Sequence, residues 1–275
     1  MLPKCILAGI AVSLVFCGCA ADNGTIELVD YHVHLKGGLT LGEAIAMSKE
    51  NGIKYGIAPN CGLGFPVTDD KGLRDYVSKV KGKGVYVGMQ AEGREWVTLF
   101  SPEAIAKFDY VFSDALTWRD HKGRRMRLWV QKEVVIDDKQ QFMDMYVDRI
   151  VWIIENEPID IFVNPTFLPK AIATEYDGLW TDGRANRVID AAARNGVAIE
   201  INAKLKLPKE AFIKKAKTAG VKFAFGTNNG DRNLGKLEYC REMIAKCGLT
   251  PRDMFTPKPD GRKAIQLKKL PKLKY

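Results

Sequence analysis

Ile26-Glu-Leu-Val-Asp-Tyr-His-Val-His34 is a run of strand-forming residues that ends on two histidines. Six later runs end on polar residues in the same way: Ile53–Asn60, Val85–Glu92, Tyr110–Asp114, Ile159–Asn164, Val197–Asn202 and Val221–Thr227. Between them the apolar residues recur at helical spacing, over Leu41–Glu50, Leu73–Lys81, Pro102–Lys107, Gln140–Asn156, Arg184–Arg194, Lys209–Ala219 and Leu234–Lys246. Near-continuous apolar strands, each followed by a helix, predict a parallel sheet covered by helices. Thr40, Ser101 and Pro208 stand where helices start, and Gly52, Gly196, Gly220 and Gly248 where they stop. An open sheet and a closed barrel share this alternation, so the strand ends decide between them. His32, His34, Asn60, Glu92, Asp114, Asn164, Glu200, Asn202 and Asn228 are residues a core would not choose. A closed barrel gathers all such ends on one face, whereas an open sheet uses only those near its switch point. The expectation is a single-domain α/β fold, a TIM-like (β/α)7 barrel over residues 25–256.

The chain has 275 residues, 46% hydrophobic and 27% charged, with a net charge of +9. That composition excludes a disordered chain, a collagen-like fibre and a small disulfide scaffold. From Pro257 to Tyr275 seven basic residues face one acid, Asp260, so residues 257–275 form a basic tail. The body is left nearly neutral, and no nucleic-acid partner is expected. Neither a Gly-x-Gly-x-x-Gly motif nor a P-loop is present.

Lys4 followed by the apolar run Cys5–Phe16 reads as a signal peptide over residues 1–18, too short to span a membrane. Phe16-Cys17-Gly18-Cys19 resembles a bacterial lipobox, which implies lipidation of Cys19 and a membrane anchor to which the basic tail adds. Ordinary cleavage after Ala20 or Ala21 is the alternative. Either way the expectation is an exported protein of the periplasm or cell envelope. Of the remaining cysteines, Cys240 and Cys247 lie seven apart on a helix, about 10 Å along its axis, too far for a disulfide. With Cys61 they read as buried thiols.

Two of the three histidines make Asp30-Tyr-His32-Val-His34. Residues i and i+2 of a strand share a face, so both imidazoles point into the barrel, an arrangement suited to a divalent metal. His121 reads as a loop histidine. The insert from Thr117 to Asp138 looks like a long loop over the site face, and its Arg119, Lys122, Arg124, Arg125 and Arg127 are candidates to receive a phosphate.

Asp-Tyr-His-Val-His at a first strand resembles the opening of the PHP (polymerase and histidinol phosphatase) superfamily. Further segments align in order: Ile57-Ala-Pro-Asn60, Gly88-Met-Gln-Ala-Glu92, Phe162-Val-Asn164-Pro165, Ile199-Glu-Ile-Asn202 and Phe225-Gly-Thr-Asn228-Asn-Gly230. The resemblance implies a seven-fold (β/α) barrel and phosphoester hydrolysis at a metal cluster. Only His32, His34 and Glu92 stand unchanged at ligand positions. Asn60 and Asn164 replace histidines, Asn228 replaces an aspartate, Gly230 replaces the last histidine, and Thr40 or a neighbour replaces a first-motif histidine. Amide oxygens are poor ligands for zinc, so the resemblance implies one zinc, manganese or iron per chain. That ion would sit on His32, His34 and Glu92, with Asp114, Asp231 or water completing its shell.

The resulting expectation is a metal-dependent hydrolase, a phosphoesterase of a small anionic, phosphorylated substrate. In it Asp114 or Glu200 serves as general base, while Asn60, Asn164, Asn228, Arg124 and Arg125 bind substrate. The alternative is a non-catalytic PHP-like barrel that binds a ligand or protein partner, for which neutral asparagines are the expected signature. An amidohydrolase-type barrel also opens with His-x-His but needs later histidines that this chain lacks.

Overall fold

The computed structural model describes residues 24–120 and 122–272. The expected signal segment with Cys19, and His121, lie outside the described residues. Seven parallel strands run in the order expected: β1 (Val29–Val33), β2 (Lys54–Ile57), β3 (Tyr86–Ala91), β4 (Tyr110–Ser113), β5 (Ile161–Phe162), β6 (Ala198–Asn202) and β7 (Phe223–Gly226). Each pairs with its sequence neighbours, and β1 pairs with β7 at Asp30–Phe225, so the sheet closes. A two-residue continuation of β2, Asn60–Cys61, pairs with the end of β3. The closed parallel (β/α)7 barrel is therefore the observed fold.

Seven helices follow the strands: α1 (Leu41–Asn51), α2 (Asp70–Val80), α3 (Pro102–Ile105), α4 (Lys139–Asn156), α5 (Asp182–Asn195), α6 (Glu210–Thr218) and α7 (Glu238–Cys247). Thr40 and Glu43 form a reciprocal capping box at α1, which satisfies two orphan N–H groups. Thr40 is thus a helix cap and not a ligand. Glycines 52, 196 and 248 end α1, α5 and α7 in the left-handed conformation. Helix α6 starts at Glu210 with Lys209 as its N-cap, so Pro208 precedes the helix rather than opening it. Cys61, Cys240 and Cys247 are buried and unbridged. Among the described residues no helix is long and apolar enough to cross a membrane.

The lower barrel is filled by aromatic rings. Tyr31 lies 5.2 Å edge-on to Tyr110 and 5.3 Å from Phe255, and the Tyr110 hydroxyl donates to Tyr31 O at 2.6 Å. Between Asp30 and Val33, β1 carries one residue more than β2, since Asp30 faces Tyr55 while Val33 faces Ile57. An extra residue re-aims side chains. Tyr31 thereby joins the aromatic filling, while His32 and His34 turn inward above it.

The basic C-terminal segment closes the opposite end of the barrel. Within it Ala264–Leu267 is a short helix. Lys263, 5% exposed, donates to Ala106 O and Phe108 O, each at 2.7 Å, and pairs with Asp260. The apolar stretch just before β4 leaves carbonyls there that need a donor, and this lysine supplies it.

Candidate functional site

The two histidines are held by different partners in the same manner. His32 Nδ1 meets Glu200 Oε1 at 2.6 Å, and His34 Nδ1 meets the carbonyl of Ala58 at 2.8 Å. A carbonyl only accepts, so Nδ1 of His34 carries the proton and its Nε2 presents a lone pair. The same tautomer follows for His32 against the Glu200 carboxylate. Both Nε2 atoms are buried and have no hydrogen-bond partner among the described residues. Burial, and after it the neighbouring His32 and Lys36, hold His34 far below the usual imidazole range, which keeps it neutral. Its backbone is gripped by Asn229, whose side chain accepts from His34 N at 2.7 Å and donates to His34 O at 2.9 Å.

Glu200 is 1% exposed and fully engaged. Beyond His32, its Oε2 accepts from Asn164 N at 2.8 Å and Asn202 Nδ2 at 3.1 Å. Unlike Asp114, it does not border the cavity at the strand ends, so the expectation that it acts as general base gives way to a positioning role on His32. Gly226 makes this possible: a Cβ there would lie 2.8 Å from His32 Cβ and 3.0 Å from Glu200 Cδ. Only a residue without a side chain lets β1 and β6 place their groups this close together.

Above this floor are two acids. Glu92 and Asp114 are both buried, and burial is the largest influence on each, raising both above the usual carboxylate range. Asp114's charge pushes Glu92 further up, while Asn60 opposes by donating to Glu92 Oε1 at 2.6 Å. Asp114 accepts from Asn164 Nδ2 at 3.1 Å and from Leu116 N at 2.9 Å. Behind them Arg94 donates to Glu157 at 2.6 Å, to Ser113 Oγ at 2.9 Å and to Asp114 O at 3.0 Å. Asn164 and Asn228 have φ of +51° and +44°, a left-handed backbone that asparagine tolerates better than most residues. The choice of residue at these two strand ends thus has a backbone reason as well as a chemical one.

These residues border a cavity of about 480 Å³ at the C-terminal strand ends, lined by Asn60, Glu92, Asp114, Asn164 and Asn228. The expected arginines are elsewhere. Arg124 is bound to Asp120 at 2.6 Å and Asp137 at 2.9 Å, and Arg125 belongs to the exposed edge of a hairpin pairing Thr117–Arg119 with Arg125–Arg127. Neither lines the cavity, and acids interleaved in the loop already pair with Lys122, Arg124 and Arg127. The cations that do line it are Lys36 and Lys204. Asp231 accepts from Asn233 in its own exposed turn, and Asn233 lowers its carboxyl; it is not part of the site.

The donor chemistry fits a divalent metal at the imidazole pair. A ligating histidine characteristically ties its other nitrogen to a carboxylate or carbonyl, and both do so here, leaving two buried lone pairs unpartnered. The fit stops at that pair: among the described residues no group of three or more His, Cys, Asp or Glu side chains is placed to hold an ion. Glu92 is engaged by Asn60 instead of closing on the histidines.

A parallel seven-fold barrel with paired imidazoles, two acids and amide donors at its C-terminal mouth defines the class. No protein-family model and no curated protein sequence matches the chain. Among solved structures it is similar to the histidinol phosphate phosphatase of Lactococcus lactis subsp. lactis Il1403, crystallised with zinc, L-histidinol and phosphate. The identity is 15% over 88% of this chain and 99% of that one, with a TM-score of 0.58. It is also similar to a candidate histidinol phosphatase of Listeria monocytogenes, 12% identical over 77% of this chain and 100% of that one, with a TM-score of 0.62. The shared feature is the fold.

Proposed function

We propose that the chain is a metal-dependent phosphoesterase acting on a small phosphorylated compound, with one divalent ion of zinc, manganese or iron. The observation that carries this reading is the pair of buried, unpartnered Nε2 atoms on His32 and His34, each with its Nδ1 fixed. These two residues would hold the ion, and Glu92 would add charge to its shell. When bound, such an ion lowers the pKa of a water and polarises a phosphoryl oxygen. Asp114, buried with its proton affinity raised, receives the proton of the attacking water. The new bond forms from water oxygen to phosphorus, the ester P–O bond breaks, and the leaving alkoxide takes from Asp114 the proton that the water gave up. Lys36 and Lys204 offset the phosphate charge, Asn60, Asn164 and Asn228 offer amide groups to its oxygens, and Glu200 keeps His32 aimed.

One observation favours the second reading, a non-catalytic barrel that binds a ligand or partner. Asn60 donates to Glu92, Asn164 to Asp114 and Asn202 to Glu200, so each acid has a neutral donor in place of a cation. Metal analysis of protein purified without chelator, combined with a phosphomonoester and phosphodiester panel, separates the two. One equivalent or less of metal, lost in His32→Ala together with hydrolysis, supports the phosphoesterase. No metal after reconstitution and no turnover leaves the binding barrel. Export and the Cys19 anchor belong to the same proposal, and Cys19→Ser should move the protein from the detergent phase to the soluble exported fraction.

A further inference from the structure

The cavity is polar at its floor and apolar at its rim, and the rim is assembled from separate parts of the chain. Phe65 follows β2, Trp129 comes from the Thr117–Asp138 insert, Phe167 follows β5 and Leu205 follows β6. Trp129 is 46% exposed although it is the largest side chain in this rim. Exposed aromatic surface beside a mostly buried polar floor is the anatomy of a site that takes an amphipathic ligand. Lys36 and Lys204 face the same space beside Glu92 and Asp114, so an anionic end of that ligand has two ammonium partners there while its other end is apolar. A sugar ring stacks on tryptophan but needs partners for its hydroxyls, and the other rim residues here are Phe65, Phe167 and Leu205. A cavity of about 480 Å³ holds a bicyclic ring with a phosphate attached.

We infer that Trp129 is a specificity-determining residue whose indole stacks on the flat apolar alcohol half of the substrate, making the substrate class a phosphomonoester of an aromatic alcohol. The inference rests on the phosphoesterase reading for the word substrate, but its test does not need turnover. Calorimetric titration of the full-length chain with 1-naphthylphosphonate and with methylphosphonate, neither of which can be hydrolysed, reads the apolar contact directly. The naphthyl compound should bind about tenfold tighter or better, the scale of one aromatic stacking contact plus its buried area. Trp129→Ala should bring the ratio of the two affinities close to one, and Trp129→Phe should restore part of it. The exposed position of Trp129 makes both variants safe for folding, which circular dichroism verifies. Equal affinity for the two phosphonates in the wild type, or an unchanged ratio in Trp129→Ala, overturns the inference even if phosphate esters are hydrolysed. A retained preference without any turnover overturns the phosphoesterase reading and leaves the aromatic site standing.

Discussion

Replacing Gly226 by alanine tests whether the His32–Glu200 clamp organises the floor of the site. The added methyl would sit 2.8 Å from His32 Cβ and 3.0 Å from Glu200 Cδ, whereas carbon atoms in contact settle at about 3.5–4.0 Å. Each neighbour must retreat by roughly 1 Å, and neither has space because both are about 1% exposed. The bond between them is 2.6 Å long, and a displacement of about 1 Å on one side takes it past the range of a hydrogen bond. Overpacking of this kind costs about 1–3 kcal/mol and loss of a buried charged hydrogen bond about 1.5–3 kcal/mol. The expected loss is therefore about 2.5–6 kcal/mol, read from urea denaturation of metal-free protein. Zinc affinity should fall alongside, because His32 loses the partner that fixes its ring. A variant within about 0.5 kcal/mol of wild type and with unchanged zinc affinity would refute the reasoning, showing that the floor has slack the packing does not reveal.

Asn164→Gly should be more stable than Asn164→Ala by about 1 kcal/mol, since both lose the side-chain bonds but only alanine resists φ of +51°; equal denaturation midpoints would contradict this. Lys263→Met should cost about 2–4 kcal/mol, because it strips the donor from two carbonyls at the base of the barrel; an unchanged unfolding curve would show that water replaces the ammonium. Burial raises Asp160 to about 6 from 3.8, against the opposing bonds from Val111 N and Ala264 N. A carboxyl with a raised folded pKa binds its proton more tightly in the native state. Its contribution therefore falls as pH rises from about 4 through about 6, by up to about 3 kcal/mol. Asp160→Asn should flatten that part of the stability–pH curve, and a curve of unchanged slope would show that other groups set it.

The barrel is legible in the sequence because its strands are buried on both faces and their polar ends fall on one side. Seven apolar runs interrupted by helical patterns leave few other folds, and His32, His34, Glu92 and Asp114 are conspicuous against that background. What local pattern could not show is which charges are already taken. Arg124 looks available in sequence, yet Asp120 and Asp137 lie four and thirteen residues away and bind it. Lys36 and Lys204 carry a usable signal, each standing two places beyond a polar strand end, His34 and Asn202. Lysine is so common on surfaces that the signal is lost. The role of Glu200 depends on a partner 168 residues distant, and the inward turn of Lys263 on carbonyls 155 and 157 residues away. Interactions at such separation follow from barrel closure and leave no local trace. The extra residue in β1 is equally silent, because a bulge does not alter the alternation enough to be read.

Closure of the barrel between β1 and β7 also has a kinetic meaning. Asp30 accepts from Thr227 N at 3.0 Å and from Thr227 Oγ1 at 2.6 Å, across 197 residues, and His34 is gripped by Asn229 across 195. Contacts of such span carry the largest loop-closure entropy and are characteristic of slowly folding topologies. The imidazole pair therefore acquires its geometry only when the two ends of the chain meet. A chain shortened before β7 would keep both histidines and most of its helices, yet would leave the first strand without one neighbour and the His34 backbone without its clamp. Both imidazoles come from the first strand, but the last strand decides whether they form a site.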